Sequence, residues 1–274
     1  MTIASNRAIQ LAAIVYQAIR QYNNNGKFEL PPGYKLAAVL GSKEVPYLGF
    51  ILESRNSIII ALRGTAAVSE LKRDLQFDQI PFPFVRNAGL THRGFTELYA
   101  SALREPIMSY LNKASPKKRL YLAGHSIGGS LVTLCALDLV YHTPFKQPVV
   151  YTFGAPKVGN PDFVRRFNRR IKHSTHIANR YDLVPLLPPS FDKTVYRHVR
   201  YRYVIRFQNK GLKGSHSIKS YYKELVRRRA GRSRPYYNGS PKGLYLADAL
   251  NSLALSLSID SKTCRGVEPP SIMS

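Results

Sequence analysis

Apolar residues recur along this chain with two periods, one typical of amphipathic helices and one of buried strands. From Asn6 to Tyr22, one helical face is outlined by Ile9, Ala12, Ala13, Tyr16 and Ile19. Strands are predicted over Tyr34–Leu40, Tyr47–Glu53 and Ser57–Leu62, with Arg55-Asn56 as the hairpin turn between the last two. The third run is continuously apolar after its serine, as expected for a strand buried on both faces.

The rest of the chain alternates strands with helices. Further helices are predicted over Phe95–Lys113, from Ile127 onward, and over Phe163–Ile171, His216–Arg229 and Leu244–Ile259. Further strands are predicted at Leu120–Ala123, Pro148–Phe153, Thr175–Asn179 and Tyr196–Asn209. Because such alternation builds right-handed crossovers, it predicts one α/β domain over residues 1–274, with a mostly parallel sheet covered by helices on both sides. An N-terminal helix within residues 1–25 opens this domain, and a C-terminal extension, 230–274, packs on it or trails it.

Ser126 lies in a glycine-rich turn between a short apolar strand and a long apolar helix. Gly124 and Gly128 flank it in the pattern G-x-S-x-G. The bare pattern is weak, but a strand directly before it and a helix directly after it are the setting that the pattern requires. A side chain on such a turn is exposed to substrate, and the helix N-terminus favours an oxyanion there. We interpret Ser126 as an activated nucleophile rather than a structural turn residue.

The composition predicts a large buried core without a metal centre, a cofactor or a disulfide framework. The chain has 274 residues, 44% of them hydrophobic, and two cysteines, Cys135 and Cys264. Cys135 lies on the apolar helix that follows Ser126, so we expect it to be a small buried hydrophobic residue. The seven histidines show no metal-ligand spacing.

The net charge is +25 and is unevenly distributed along the chain. The stretch Val164–Lys242 holds 21 Lys and Arg against three acids. Such a field attracts anionic partners, although it also serves to keep a protein in solution, and it suggests peripheral contact with an anionic membrane through the basic C-terminal third. We see no secretory signal and no apolar run of about 20 residues, and therefore expect a cytoplasmic or peripheral membrane location.

A serine nucleophile needs an imidazole to take its proton and a carboxylate to orient that imidazole. Four acids follow Ser126 and precede the last histidine: Asp138, Asp162, Asp182 and Asp192. Asp138 lies roughly 18 Å along the helix, and Asp162 is placed to cap a helix. Asp182 directly follows a predicted strand, where the acid of an α/β-hydrolase arrangement belongs, and is preferred over Asp192 in an exposed loop.

Two histidines follow Asp182, and His216 is the better candidate for the base. It sits at a loop-to-helix junction, from which an imidazole can reach over Ser126, whereas His198 falls inside a predicted strand as a packed sheet residue. His125 neighbours Ser126 but should point the opposite way and act as a structural hydrogen-bonding residue. For the oxyanion, the N–H of Ile127 supplies one donor, and Thr65, after the neighbouring buried strand, supplies its N–H and hydroxyl.

Six motifs resemble those of the class 3 lipase family, in that family's order and across about Leu48 to Leu225. They are LRGT at 62–65, THRGF at 91–95, GHSIGG at 124–129, TFGAPKVGN at 152–160, NRYDLVPLLPP at 179–189 and GSH at 214–216. The resemblance implies an α/β-hydrolase fold and hydrolysis of glycerolipid esters by a Ser126–Asp182–His216 triad. It also implies an oxyanion hole at Thr65 and Ile127. His92 and Gly94 match a motif that we interpret as structural.

The segment after LRGT departs from the fungal members of that family, which carry a lid helix with a tryptophan. This chain has no tryptophan, and the stripe of Val68, Leu71 and Leu75 fits either a short lid or a core helix. The alternatives to a triacylglycerol lipase-like enzyme are a phospholipase or galactolipase, and a non-catalytic protein that binds anionic lipid or nucleic acid through Arg227–Arg234. The complete triad argues against the latter. Sheet packing accounts for the aromatic residues of 196–209 better than base stacking, and a nucleic-acid partner is not expected for this protein.

Overall fold

The computed structural model describes residues 6–64, 77–190, 194–199, 202–209, 211–231 and 236–238. In chain order its strands are β1 Lys35–Leu40, β2 Gly49–Glu53, β3 Ser57–Leu62, β4 Gln79–Pro81, β5 Leu90–His92, β6 Arg119–His125, β7 Val149–Phe153, β8 His173–Asn179, β9 Arg202–Ile205, β10 Phe207–Asn209 and β11 Tyr236–Asn238. Its α-helices are α1 Asn6–Asn23, α2 Arg93–Tyr99, α3 Glu105–Lys113, α4 Ile127–His142, α5 Pro161–Arg170, α6 Gly211–His216 and α7 Ile218–Arg229.

A mostly parallel sheet forms the centre of the described structure. Its strand order is β1-β2-β3-β6-β7-β8-β9, with antiparallel pairing up to β3 and parallel pairing from β3 onward. The carboxyl ends of β6, β7, β8 and β9 therefore meet at one edge of the sheet, which we call the catalytic edge. The opposite edge, where these strands begin, is the amino edge. The fold is that of an α/β hydrolase, as predicted.

Helices cover both faces of this sheet, and β3 explains why. Its six residues are all buried; Ile58, Ile60 and Leu62 enter one apolar cluster, and Ile59 and Ala61 enter the other. The first cluster is shared with α2, α3, α4 and α5, and the second with α1 and α7. The continuous apolar run predicted from the sequence is thus a strand with core on each side.

The predicted helix Phe95–Lys113 is divided in the structure. The α-helix α2 passes into a π-helical segment, Ala100–Arg104, before α3 begins at Glu105. Pro106 has no N–H, and in a regular helix its ring would clash with the carbonyl four residues earlier. The wider turn directly before Pro106 is the expected accommodation of such a residue.

The predicted strand Tyr196–Asn209 was wrong as a single element. Arg202–Ile205 pairs with β8 in the central sheet, whereas Phe207–Asn209 pairs with β11 in a separate two-stranded sheet. The amide of Asn179 explains the break, since its Oδ1 accepts from Phe207 N and its Nδ2 donates to Phe207 O. The side chain of Asn179 thereby takes over the main-chain groups that would have continued the ladder.

Several predictions fall outside the described residues. These are the helical stripe of Val68, Leu71 and Leu75, the helix Leu244–Ile259, and Cys264. The organisation as one domain with an extension over 230–274 stays a prediction, since most of that extension is not described. The N-terminal helix, the β2–β3 hairpin and the burial of Cys135 are confirmed. Within the described residues, no helix is long and apolar enough to cross a membrane.

Candidate active site

Ser126 stands at the turn between β6 and α4 with a backbone conformation that few non-glycine residues adopt. Its φ is +55° and its side chain is largely buried. Two glycines permit this turn. A Cβ on Gly64 would lie 2.6 Å from Ser126 Cβ, and one on Gly128 would lie 2.3 Å from the carbonyl oxygen of Arg63. Glycine is therefore required at Gly64 for the chain after β3 to approach Ser126, and at Gly128 for α4 to approach the end of β3.

His216 lies between Ser126 and a carboxylate. Its Nε2 is 2.9 Å from Ser126 Oγ, and its Nδ1 is 2.8 Å from Asp182 Oδ2. The residue ends the short helix α6, which follows β10. The predicted convergence of three residues that are distant in the chain is thus present, with each separation in the range of a hydrogen bond.

Asp182 is held by two donors besides the imidazole. Tyr221 donates its hydroxyl to Asp182 Oδ2 at 2.6 Å, and the N–H of Val184 donates to Oδ1 at 3.0 Å. The residue follows the carboxyl end of β8 and is almost completely buried. A buried carboxylate with both oxygens hydrogen-bonded keeps a fixed orientation, which it can pass on to the imidazole.

Tyr221 is a site residue that sequence reasoning missed. It is fully buried on α7, and its hydroxyl accepts from the N–H of Asn179 at 2.9 Å while donating to Asp182. Burial, followed by the nearby Asp182 charge, raises the pKa of the Tyr221 phenol well above its ordinary value, so it stays a donor. Its position within an apolar helical stripe gave no signal beyond core packing.

His125 was expected to point the opposite way from Ser126 as a hydrogen-bonding residue, and its ring lies beside that of His216. Its Nε2 lies 2.6 Å from the carbonyl oxygen of His216, and the two rings are 4.6 Å apart. The expected role as a hydrogen-bonding residue is confirmed.

The other acids and histidines considered from the sequence lie elsewhere. Asp138 is buried and accepts hydrogen bonds from Tyr99 and Arg104. It does not contact the site, as expected from its distance from Ser126 along α4. Asp162 does not cap α5; the cap is Asn160, whose Oδ1 accepts from Phe163 N, while Asp162 is exposed and pairs with Arg165. Asn160 precedes Pro161 at the first helical position, which leaves Asp162 one residue too far into the turn. Asp192 lies outside the described residues.

His198 belongs to no strand, contrary to prediction. Its Nε2 lies 2.5 Å from the carbonyl oxygen of Pro185, and its ring stacks on that of His176 at 4.4 Å. It therefore fastens the turn after Asp182 without reaching Ser126. His92 is buried, stacked on Phe95 and accepting from its N–H, which confirms the structural interpretation of that motif.

The predicted oxyanion donors are only partly described. Ile127 opens α4 directly after Ser126, and the first N–H groups of a helix have no carbonyl partner within it. Thr65 lies outside the described residues, but the two residues before it are fixed. Arg63 is buried; its guanidinium donates to the carbonyls of Gly64 and Tyr47 and covers the ring of Tyr22. The chain is thus held in place up to the residue before Thr65.

The chain is similar in sequence to several known proteins. Residues 59–191 match the family model for lipase (class 3). The chain is 31% identical over 143 residues to a lipase of Rhizomucor miehei, covering 50% of this chain and 39% of that protein. It is 29% identical over 197 residues to phospholipase A1-II 5 of Oryza sativa subsp. indica, covering 57% and 42%.

The fold similarity extends further than the sequence similarity. The structure of the Rhizomucor miehei triacylglyceride lipase superposes with a TM-score of 0.60 at 23% identity, covering 72% of this chain and 78% of that one. The chain spans about two fifths of the length of each of these two curated relatives. The structural likeness supports the fold, and the sequence match supports the family.

Proposed function

Residues 59–191 belong to the class 3 lipase family, and from this premise we propose that the protein is a serine carboxylic-ester hydrolase acting on glycerolipids. The observation that carries the proposal is the hydrogen-bonded series from Ser126 through His216 to Asp182. Each member has one role: nucleophile, general base and orienting carboxylate. The proposed activity needs no metal or cofactor.

The acylation step uses the hydroxyl and the imidazole. His216 Nε2 takes the proton of Ser126 Oγ as the oxygen attacks the ester carbonyl carbon, and the carbonyl oxygen becomes an oxyanion. The N–H of Ile127, and Thr65 on the adjoining loop, are the proposed donors to that oxyanion. The tetrahedral intermediate then expels the alcohol, which receives its proton from His216, and an acyl ester remains on Ser126.

Deacylation repeats these roles with water. His216 Nε2 removes a proton from a water molecule, whose oxygen attacks the acyl carbon, and the second tetrahedral intermediate expels Ser126 Oγ. The proton returns to the serine and a fatty acid leaves. Throughout both steps Asp182 fixes the imidazole tautomer and stabilises its charged form, and Tyr221 and Val184 hold Asp182 in place.

Glycerolipids in a membrane are the substrates that the catalytic edge favours. Three exposed cations lie there: Arg180 follows the end of β8, Arg206 follows the end of β9, and Lys213 precedes His216. The exposed Leu186 lies in the turn after Asp182. Cations beside an apolar side chain fit the surface of an anionic bilayer. We therefore include peripheral contact with anionic membranes in the proposal, with this edge facing the lipid.

A phospholipase or galactolipase is the second candidate. The same exposed cations near the site fit a phosphate head group better than an uncharged triacylglycerol, and one relative is a plant phospholipase A1. Incubation of the protein with a mixed lipid extract, followed by mass spectrometry of the products, separates the two. Lysophospholipid would favour the second candidate, and diacylglycerol with free fatty acid the first.

The test of the mechanism is hydrolysis of a soluble chromogenic acyl ester by the wild type, Ser126→Ala and a matched control, Ser101→Ala. Ser101 is an exposed serine on the π-helical segment, bonded to the carbonyl of Glu97. We expect Ser126→Ala to lose about 10⁴-fold or more in kcat and Ser101→Ala to be unaffected. Unchanged turnover by Ser126→Ala would remove the mechanism.

A further inference from the structure

A cationic groove runs along α5 and continues past its end, and the proposed hydrolysis does not use it. Its largest part is a depression of about 570 Å³ at the C-terminal ends of α4 and α5. The ionisable side chains that line this part are Tyr141, Lys146, Arg169, Arg170, Lys172 and His173. Two further depressions adjoin it along the helix. They share Arg165 and Arg169 with each other, both share Arg169 with the first, and one of them also shares Lys172 with the first. We call the three together the α5 groove.

The charge of the α5 groove is almost entirely positive. Asp162 is its one acidic lining residue and pairs with Arg165. Lys146 donates to the carbonyl of Val140 and Arg170 to the hydroxyl of Tyr141, so part of the charge neutralises a helix end. Within the described part of the chain, Arg169 and Lys172 have no acidic partner, and both are exposed.

The α5 groove and the proposed active site lie at opposite edges of the sheet. Lys172 and His173 stand at the start of β8, and Asp182 follows its end. Seven residues of extended strand separate these edges by about 20 Å. A flat surface that covered the groove would therefore lie at the far end of the sheet from Ser126.

We propose that the α5 groove binds the phosphate backbone of a nucleic acid strand. The groove is rich in arginine, whose planar guanidinium suits phosphate, and it follows a helix of ten residues, about 15 Å long, so several phosphates can be contacted in a row. It carries no pattern for reading bases, so binding is independent of sequence. A nucleic-acid partner was not expected from the sequence, where the aromatic residues of 196–209 fitted sheet packing; the α5 groove is a different surface and changes that expectation.

A membrane is the poorer partner for this surface. None of the large apolar side chains exposed on the described structure lines the groove. Membrane-bound helices normally insert apolar residues beside their cations. A bilayer docked at the amino edge would also hold the catalytic edge away from its lipids. Neither objection applies to a nucleic acid strand that lies in the groove.

The affinity should come from counterion release and should therefore weaken steeply with salt. For a single strand, log K falls with log salt by about 0.7 for each phosphate that a cation neutralises. Loss of two contacts lowers that slope by about 1.4, which corresponds to an affinity about 25-fold weaker at about 0.1 M salt if the affinities are equal at about 1 M. The substitution Arg169→Gln with Lys172→Gln removes two exposed charges from the groove, and neither residue packs in the core.

The experiment measures fluorescence anisotropy of a labelled oligothymidylate of about 20 nucleotides against protein concentration at several salt concentrations. The matched control, Lys27→Gln with Lys43→Gln, removes the same charge from exposed loops remote from α5. We expect the groove variant to lose affinity and slope as stated, with the control close to wild type and ester hydrolysis unchanged in both. Equal losses in the two variants, or no loss in the groove variant, would overturn the proposal.

A membrane partner is separated by a second arm with anionic phosphatidylserine vesicles. If the groove variant loses vesicle binding and keeps the affinity for the oligonucleotide, the surface binds lipid and the proposal is wrong. Ser126→Ala should bind the oligonucleotide as the wild type does, because the groove is independent of the hydrolytic site. Failure of the hydrolytic proposal would therefore leave this one standing.

Discussion

The side chain of His125 holds the main chain of His216: its Nε2 lies 2.6 Å from the carbonyl oxygen of His216. A carbonyl only accepts, so the hydrogen must be on Nε2, and Nδ1 carries the lone pair. Burial, and then the neighbouring His216, hold the pKa of His125 well below its ordinary value. A neutral ring at this place can pack 4.6 Å from the imidazole of His216 without repelling it when that imidazole is protonated.

This contact predicts different outcomes for two substitutions of His125. His125→Phe keeps an aromatic ring but leaves a buried carbonyl without a donor, at a cost of about 1–3 kcal/mol. We expect kcat on a soluble ester to fall about tenfold with KM nearly unchanged, because the imidazole of His216 is no longer held in position. His125→Gln retains an N–H donor and should recover most of kcat.

Steady-state kinetics and thermal unfolding of both variants check this prediction. A purely structural role would lower the melting temperature of His125→Phe while leaving kcat of the folded protein intact. That result, or equal impairment of the two variants, would contradict a positioning role for His125.

Gly154 lies against the three groups that orient the proposed base. Its φ is +58°, and a Cβ there would lie 2.7 Å from Asp182 Oδ2, 3.0 Å from the Tyr221 hydroxyl and 3.2 Å from His216 Nδ1. We predict that Gly154→Ala displaces the carboxylate from the imidazole and lowers kcat by 10²-fold or more, since a shift of about 1 Å has that effect on a positioned group.

The control for Gly154 is Gly33→Ala, which has a φ of +78° and nothing within 4 Å of the added methyl group. Both substitutions strain the backbone by about 1–2 kcal/mol, so both should lower the melting temperature. Only Gly154→Ala should lose activity. Comparable kcat values for the two variants would mean that the crowding at Gly154 has no consequence for the site.

Most of the fold was predictable because its signals are local. The apolar run of β3 and the strand–turn–helix around Ser126 follow from residues adjacent in the chain. The two predicted ends of α1 and the predicted start of α4 differ from the observed positions by one residue at most. The elimination among acids also succeeded in bringing Asp182 together with His216, since strand order determines which loops meet at the catalytic edge.

The residues that were missed depend on tertiary contacts that leave no periodic signal. Tyr221 reads as one more apolar position of a helix, and only the packing of α7 beneath β8 brings its hydroxyl to Asp182. Asn179 divides a predicted strand through its side-chain amide, which competes with the ladder for main-chain groups. His198 was assigned to that strand because the alternation includes it, whereas its side chain binds the carbonyl of Pro185. Sequence alternation cannot report such competition.

Tyr221→Phe tests how far the carboxylate depends on its phenol partner. The substitution removes the 2.6 Å bond to Asp182 Oδ2 and leaves the N–H of Asn179 buried without an acceptor. We expect the free energy of unfolding to fall by about 1–3 kcal/mol and kcat by about tenfold, because Asp182 keeps the N–H of Val184 but loses its strongest neutral donor. Tyr222→Phe, on the adjacent half-buried tyrosine, is the matched control. Urea unfolding and ester kinetics at one pH measure both quantities, and a Tyr221→Phe enzyme with wild-type kcat would show that Asp182 needs no such support.

His198 predicts an acid-labile turn behind Asp182. Its Nε2 binds the carbonyl of Pro185, and burial is the main cause that lowers its pKa to about 4, with the cations Arg202 and Lys157 adding to the effect. His176, stacked on it, is also buried and has its pKa lowered well below the ordinary value. The charged side chains that lower these pKa values, Arg202 and Lys157, are both positive, and a proton on His198 is disfavoured in the folded state.

The direction of the pH dependence follows from these pKa values. In the unfolded chain His198 takes up its proton near pH 6.5, whereas in the folded protein it does so only near pH 4. Between these values the unfolded state binds more protons, so the free energy of unfolding falls as the pH falls, by up to about 3 kcal/mol from this residue.

His198→Gln keeps an N–H donor for the Pro185 carbonyl and cannot titrate. We therefore expect urea unfolding curves of this variant and the wild type to agree at pH 7 and to separate in favour of the variant by pH 4. His173→Gln, at an exposed histidine, controls for the exchange itself, and parallel curves for wild type and His198→Gln would place the acid lability elsewhere.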